Sequence, residues 1–168
     1  PRRLPGMIDV TDPAASRRFS DAWKSPDLPL EHWVAVEELL EAGLIRGLFV
    51  QQVHRLWEKD AGKWKELLGR VELLAVADCS LGPALDLAHV VLPMAGFGEH
   101  QGTVINQEGR ILDLGQVFEP QGESLADWEI PRRLLAAQGL QVPDGLEAVQ
   151  EEIRRLVPHL AGMTRLDP

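Results

Sequence analysis

The sequence predicts an α/β fold, a Rossmann-like parallel sheet layered with helices and followed by C-terminal helices. Two patterns predict it. Short continuous apolar runs at Gly47–Val50, Val71–Ala77 and His89–Pro93 read as strands buried on both faces. Helical stretches separate them, and strands alternating with helices imply a parallel sheet with right-handed crossovers. Three strands make a small sheet, so it is expected to continue in another segment or chain.

The elements follow in order. Residues 1–30 read as an irregular lead-in with one short helix. Asp12-Pro13 starts that helix, with Asp as cap and Pro in the first turn, and it runs over Ala14–Trp23. Ser25-Pro26-Asp27-Leu28-Pro29 is a linker. Residues 31–139 form the Rossmann-like unit. Its first helix, Glu31–Ala42, places Trp33, Val36, Leu39 and Leu40 on one face and ends at Gly43. After the first strand, His54–Leu68 is helical and stops at Gly69. A short helix over Leu81–Ala88 joins the second and third strands. The Gly-rich stretch 96–118 predicts a hairpin, with Thr103–Asn106 and Arg110–Leu112 as arms around Gln107-Glu108-Gly109. Ala126–Gln138 is a helix closed by Gly139. Residues 140–168 hold a last helix, Leu146–Leu156, and a tail.

Composition narrows the function. The net charge is −9, from 17 Lys+Arg against 26 Asp+Glu. Such a surface repels nucleic acid and anionic lipid. No apolar run approaches the ~20 residues that span a bilayer. The start, Pro1–Gly6, has no initiator Met and no apolar signal core, which predicts a stretch of a longer polypeptide in a cytoplasmic setting. The single cysteine, Cys79, makes no intrachain disulfide and cannot by itself hold an iron–sulfur cluster.

Several segments resemble one family. Asp86-Leu87-Ala88-His89-Val90-Val91-Leu92-Pro93 resembles the strand A-D-V-V-L-P of molybdopterin oxidoreductases. Glu99-His100-Gln101-Gly102-Thr103-Val104-Ile105-Asn106-Gln107-Glu108-Gly109-Arg110 is similar to their E-x-x-G-T-x-x-N-x-E-G-R signature. Glu119–Ser124 and Asp127-Trp128-Glu129-Ile130 follow as in P-x-G-E-A-x-x-D-W-x-I. Leu4-Pro5-Gly6 with Val10–Pro13 resembles the loop before this unit. Ile153–Thr164 resembles a stretch of formate-dehydrogenase-like members just before their C-terminal β domain. The resemblance covers most of the chain and implies the C-terminal part of the family's α/β region.

It also implies candidate site residues. Thr103, Asn106 and Arg110 would line the pterin site if a molybdopterin guanine dinucleotide with Mo or W is bound. The competing reading makes them, with Glu108, hairpin-forming residues. The sequence departs from the family where active members carry a Gly-Glu-Asn-Pro-like loop after the first strand. Here the residues are Gln51-Gln52-Val53-His54-Arg55-Leu56-Trp57, without glycine, so close backbone approach to a phosphate is lost. The cluster cysteines and the metal-ligating residue have no counterpart.

Within the family, the resemblance implies most closely the large iron–sulfur subunit of respiratory NADH–quinone oxidoreductase. The chain is then expected to be a structural module without a cofactor, a catalytic residue or a metal ligand of its own. Its partners would be other segments or subunits of a large redox complex peripheral to the inner membrane, with 4Fe-4S and 2Fe-2S clusters elsewhere in it. The alternatives are part of a formate dehydrogenase-like enzyme, or a stand-alone interaction domain.

Other residues read as structural. No His pair has zinc spacing. Glu99-His100 forms an acid/base pair only if a turn makes the two converge. Cys79 reads as a small side chain in a strand-to-helix turn, with Asp78 and Ser80 as caps of the helix that follows. Trp33, Trp57 and Trp64 fill the core or an interface.

Overall fold

The computed structural model describes residues 12–24, 36–52, 54–82, 84–106, 108 and 110–160. The chain divides into two compact units. One contains residues 34–100 and 116–140; the other contains residues 1–33, 101–115 and 141–168. The first helix, α1 (Pro13–Trp23), falls in the second of these.

The first unit is the α/β layer. Its elements are α2 (Val36–Glu41), β1 (Gly47–Gln51), α3 (His54–Leu68), β2 (Leu73–Asp78), β3 (Val90–Pro93) and α4 (Glu129–Ala137). The strands form one parallel sheet in the order β1-β2-β3. Gly47 pairs with Leu73 and Gln51 with Ala77, while Ala75 pairs with Val90 and Asp78 with Pro93. The central strand is the best buried, as a strand with a neighbour on each side should be.

Leu74 and Val76 face Leu40, Leu67, Leu68, Val71 and Ala84, and these form the main core. Trp64, Leu85 and Leu87 pack at its margin. Burying one such side chain contributes roughly 1.5–3 kcal/mol. Ion pairs from Lys63 to Glu37 and Glu41 tie α3 to α2. On the opposite sheet face, Ala77 packs with Met94 and Ile130 of α4.

The third strand is anchored unusually. His89 N donates to Leu74 O at 2.8 Å, and Leu74 N donates to His89 Nδ1 at 3.0 Å. The imidazole thus adds a rung to the β2–β3 ladder, and its Nδ1 carries a lone pair rather than a proton.

Four expectations are corrected here. The stretch Leu81–Ala88 is no α-helix; only Leu85–Leu87 turns, as a short 3₁₀ segment. Its bonds run to the third residue, as in Leu85 N to Gly82 O. The connection from Asp78 to Val90 spans only eleven residues, short for a crossover that carries a full α-helix. The helix beginning at Glu31 is described only from Val36, where Val36 is exposed and Leu40 alone is buried; Trp33 lies outside the described residues. The helix placed at Ala126 starts at Glu129, and α3 breaks at Asp60, whose φ is −158° and ψ 76°. Asp60 Oδ1 accepts from Lys63 N at 3.0 Å, so the residue caps the second half of α3.

The second unit contains α1, the antiparallel strands β4 (Gly102–Ile105) and β5 (Ile111–Leu114), and α5 (Gly145–Leu156). Asp12 caps α1 through Ala14 N at 3.1 Å. Trp23 Nε1 donates to Glu152 Oε1 at 2.8 Å, and Gln150 Nε2 to Thr103 Oγ1 at 2.8 Å, so α5 holds both α1 and the hairpin.

Candidate functional site

In an open parallel sheet, ligands sit beyond the carboxyl ends of the strands. At that edge β1 ends in Gln51, β2 in Asp78 and β3 in Pro93 followed by Met94.

The Gln51 side chain lies across this edge. Its Nε2 donates to Asp127 O at 2.7 Å and approaches Met94 Sδ at 3.6 Å. Gln52 follows with φ 55°, a left-handed conformation that an L side chain adopts at a cost, and its N–H returns to Ala77 O at 3.0 Å. The β1 exit thus takes a glycine-like turn at Gln52 while the Gln51 side chain is tied to Asp127.

Beside it, Asp78 Oδ1 accepts from Ser80 N and Ser80 Oγ, both at 3.2 Å, and shapes the turn, but neither residue caps a helix, since only the 3₁₀ turn Leu85–Leu87 follows. Cys79 is exposed at this turn. Partial burial and then the neighbouring Asp78 push its thiol above the ordinary range, which makes it a poor nucleophile.

After β3, Leu125 bridges to Met94, with Ala95 N donating to Leu125 O at 2.8 Å. The chain then turns at 96–99, with Gly98 at φ 88°. This turn makes Glu99 and His100 converge, but on Gly96 rather than on each other. Glu99 Oε2 accepts from Gly96 N at 2.7 Å, and His100 Nδ1 lies 3.1 Å from Gly96 O. His100 Nε2 stands 4.0 Å from Asp127 Oδ1, and that oxygen accepts Trp128 N at 2.8 Å. Glu99 thus closes the turn on Gly96, and His100 alone stands near the residue before α4.

The sequence-based candidates lie in the other unit. Asn106 Oδ1 accepts from Glu108 N and Arg110 N, both at 2.9 Å, closing the hairpin. Arg110 Nε pairs with Glu108 Oε2 at 3.1 Å on the surface. Thr103 sits on β4 and receives Gln150. Asn106 and Arg110 are brought together, and Thr103 stands apart on the strand. The polar atoms that the structure engages in these residues hold the hairpin and α5. Among the described residues no group of three or more His, Cys, Asp or Glu is placed to hold a metal ion. No described helix is long and apolar enough to cross a membrane.

The residue that sequence reasoning misses is Gln51. Its contact joins positions far apart in sequence, and the only sequence signal is the absence of glycine at the β1 exit.

A family model for molybdopterin oxidoreductases matches residues 25–137. The chain belongs to this family. It is 34% identical over 169 residues to a G-type NADH-quinone oxidoreductase subunit of Rhizobium meliloti, covering 98% of this chain and 20% of that protein. It is 32% identical to a probable oxidoreductase of Bacillus subtilis, covering 98% and 17%. It is 30% identical to the alpha subunit of an F420-dependent formate dehydrogenase of Methanococcus maripaludis, covering 98% and 25%. The chain thus spans a quarter or less of these relatives. The parallel sheet and helices agree with the family's α/β layer, as the sequence predicts.

The family is named for its pterin cofactor, so the fit of that group to these residues matters. At the β1 exit they do not fit it. A cradle for a phosphate or nucleotide needs bare backbone amides there, and Gln51 lies across that position instead.

Proposed function

We propose that this member of the family is a structural, cofactor-free module of the large peripheral-arm subunit of an NADH–quinone oxidoreductase. The observation that supports the reading best is the Gln51 bond to Asp127 O, which ties the β1 exit to the residues before α4 with the protein's own side chain. The module braces the subunit on the cytoplasmic side of the inner membrane. Iron–sulfur clusters of the 4Fe-4S and 2Fe-2S types, held elsewhere in the complex, carry electrons from NADH towards quinone. No residue of this chain is given a catalytic role.

The identity to a formate dehydrogenase subunit favours a second reading, in which Thr103, Asn106 and Arg110 line a pterin held in part by other segments. One experiment separates the two. The assembly is purified from its source through a tag on this chain, and its iron, molybdenum, tungsten and pterin are measured together with its native mass. A large iron-containing assembly without molybdenum, tungsten or pterin is expected. Stoichiometric pterin with either metal overturns the structural reading in favour of the second.

A further inference from the structure

In a parallel ladder each rung joins a backbone N–H to a backbone carbonyl. The rung just before β3 differs, because its acceptor is the His89 imidazole. An amide N–H only donates, so the 3.0 Å contact from Leu74 N requires a lone pair on His89 Nδ1. The neutral ring supplies one, with its proton on Nε2. A doubly protonated ring carries N–H on both nitrogens and accepts nothing.

The ring is open to protons, since His89 is exposed while Leu74 is fully buried. The charged groups on the elements around it are Glu72 before β2, Asp86 on the Leu85–Leu87 turn, and Lys65, Glu66 and Arg70 where α3 ends. Glu72 is held by Arg46 at 2.7 Å and Glu66 by Arg70. Among the described residues no ion pair includes His89, so no pairing offsets the rung that a charged ring gives up.

Beyond the other end of β3, His100 has the opposite polarity. Its Nδ1 lies 3.1 Å from Gly96 O, which only accepts, so Nδ1 carries the proton there and a second proton on Nε2 breaks no bond. The family strand A-D-V-V-L-P has aspartate where His89 stands. A carboxylate ordinarily titrates at about 4 and an imidazole at about 6.5, so between these values aspartate accepts where a charged imidazole does not. Histidine at this position turns a permanent rung into a conditional one.

We propose that His89 is an acid-operated latch on the β2–β3 connection. The neutral ring fastens residue 89 to Leu74 by two bonds, and a second proton leaves only the bond from His89 N to Leu74 O. The latch sits where the Leu85–Leu87 turn, packed at the margin of the main core, joins β3. Its release loosens that connection. The pairing that runs from Ala75 with Val90 to Asp78 with Pro93 is independent of the ring and persists. Acid therefore opens the connection locally and leaves the sheet in register. The latch is independent of whether the surrounding assembly holds a pterin.

The test follows deuterium exchange of the Leu74 amide in the complete assembly, purified through a tag on this chain, at about pH 7.5 and about pH 5. Rates are corrected for the intrinsic pH dependence of exchange and referred to the Val76 amide of the same strand. In the parent, protection of Leu74 relative to Val76 is expected to fall roughly tenfold at the acid pH, the factor equivalent to one lost hydrogen bond. In His89→Asp it should stay constant, and in His89→Leu it should be low at both pH values. His100→Gln should retain the acid response of the parent. Protected Val76 in each variant shows that the sheet has formed. Constant relative protection in the parent overturns the inference, and so does an equal fall in the parent and in His89→Asp. An acid response that disappears in His100→Gln assigns the proton to the other histidine and overturns it equally.

Discussion

Replacing His89 by leucine tests whether a side chain serves as a rung of the sheet. Leu74 is fully buried, and its N–H donates to His89 Nδ1 at 3.0 Å. Leucine fills a similar volume but accepts no hydrogen bond. The N–H of fully buried Leu74 is then left without its side-chain acceptor at a part-buried bond, which costs about 1–3 kcal/mol. At this chain length each kcal/mol corresponds to roughly 2–4 °C in the melting midpoint. The His89 N bond to Leu74 O persists, so β3 stays in register and the slope of unfolding with urea stays constant. His89→Asp, which installs the residue found in the family's A-D-V-V-L-P strand, offers an oxygen to the same amide and recovers at least half of the loss. Urea titrations followed by circular dichroism measure both variants, and the exchange rate of the Leu74 amide reports the rung directly. The reasoning fails if His89→Leu stays within about 0.5 kcal/mol of the parent, a change typical of an ordinary surface site, or if aspartate is as damaging as leucine.

Other consequences follow from the same contacts. Gln51→Ala strands the Asp127 carbonyl and costs about 1–3 kcal/mol by urea unfolding. Gln52→Gly relieves a left-handed residue and leaves stability unchanged or raises it by up to about 1 kcal/mol, whereas Gln52→Val lowers it. Leu74→Ala opens a cavity in the main core and costs about 2–5 kcal/mol. Cys79, its thiol raised by burial and by Asp78, reacts with iodoacetamide more slowly than a free cysteine at about pH 8, and the two rates converge as the pH rises. By linkage the folded state holds the thiol proton more tightly than the unfolded chain. The small stabilisation is complete below the unfolded thiol's pKa and is lost as the pH rises through the folded one.

The α/β layer is readable in the sequence because its strands are short apolar runs and its helices end at glycines. Gly47–Val50 and His54–Leu68 fall almost where the pattern puts them. The failures have local causes. The pattern over Leu81–Ala88 looks helical by apolar spacing, but the eleven-residue connection from β2 to β3 is short for a full α-helix. The break at Asp60 is invisible because Asp is tolerated inside helices as well as at caps. The hairpin turn at Asn106 is legible, since Asn at the head of Gln107-Glu108-Gly109 favours a side-chain-closed turn. Gln51 is not legible as a crossing residue, because the partner of a long polar side chain is set by tertiary packing. The same holds for His89, whose ring nitrogen replaces a backbone acceptor.

The hairpin unit draws on three separate stretches of polypeptide, with α5 gripping both Trp23 and Thr103. On a ribosome, the parallel sheet and α4 emerge complete by residue 140, while α1 and the hairpin wait without their common partner until α5 leaves the exit tunnel. Vectorial synthesis therefore orders assembly, with the α/β layer closing first and the hairpin unit last. A nascent chain whose residues up to 140 have left the tunnel presents the three described strands and α4 while the hairpin unit still lacks α5, the form a chaperone or an assembling neighbour meets first.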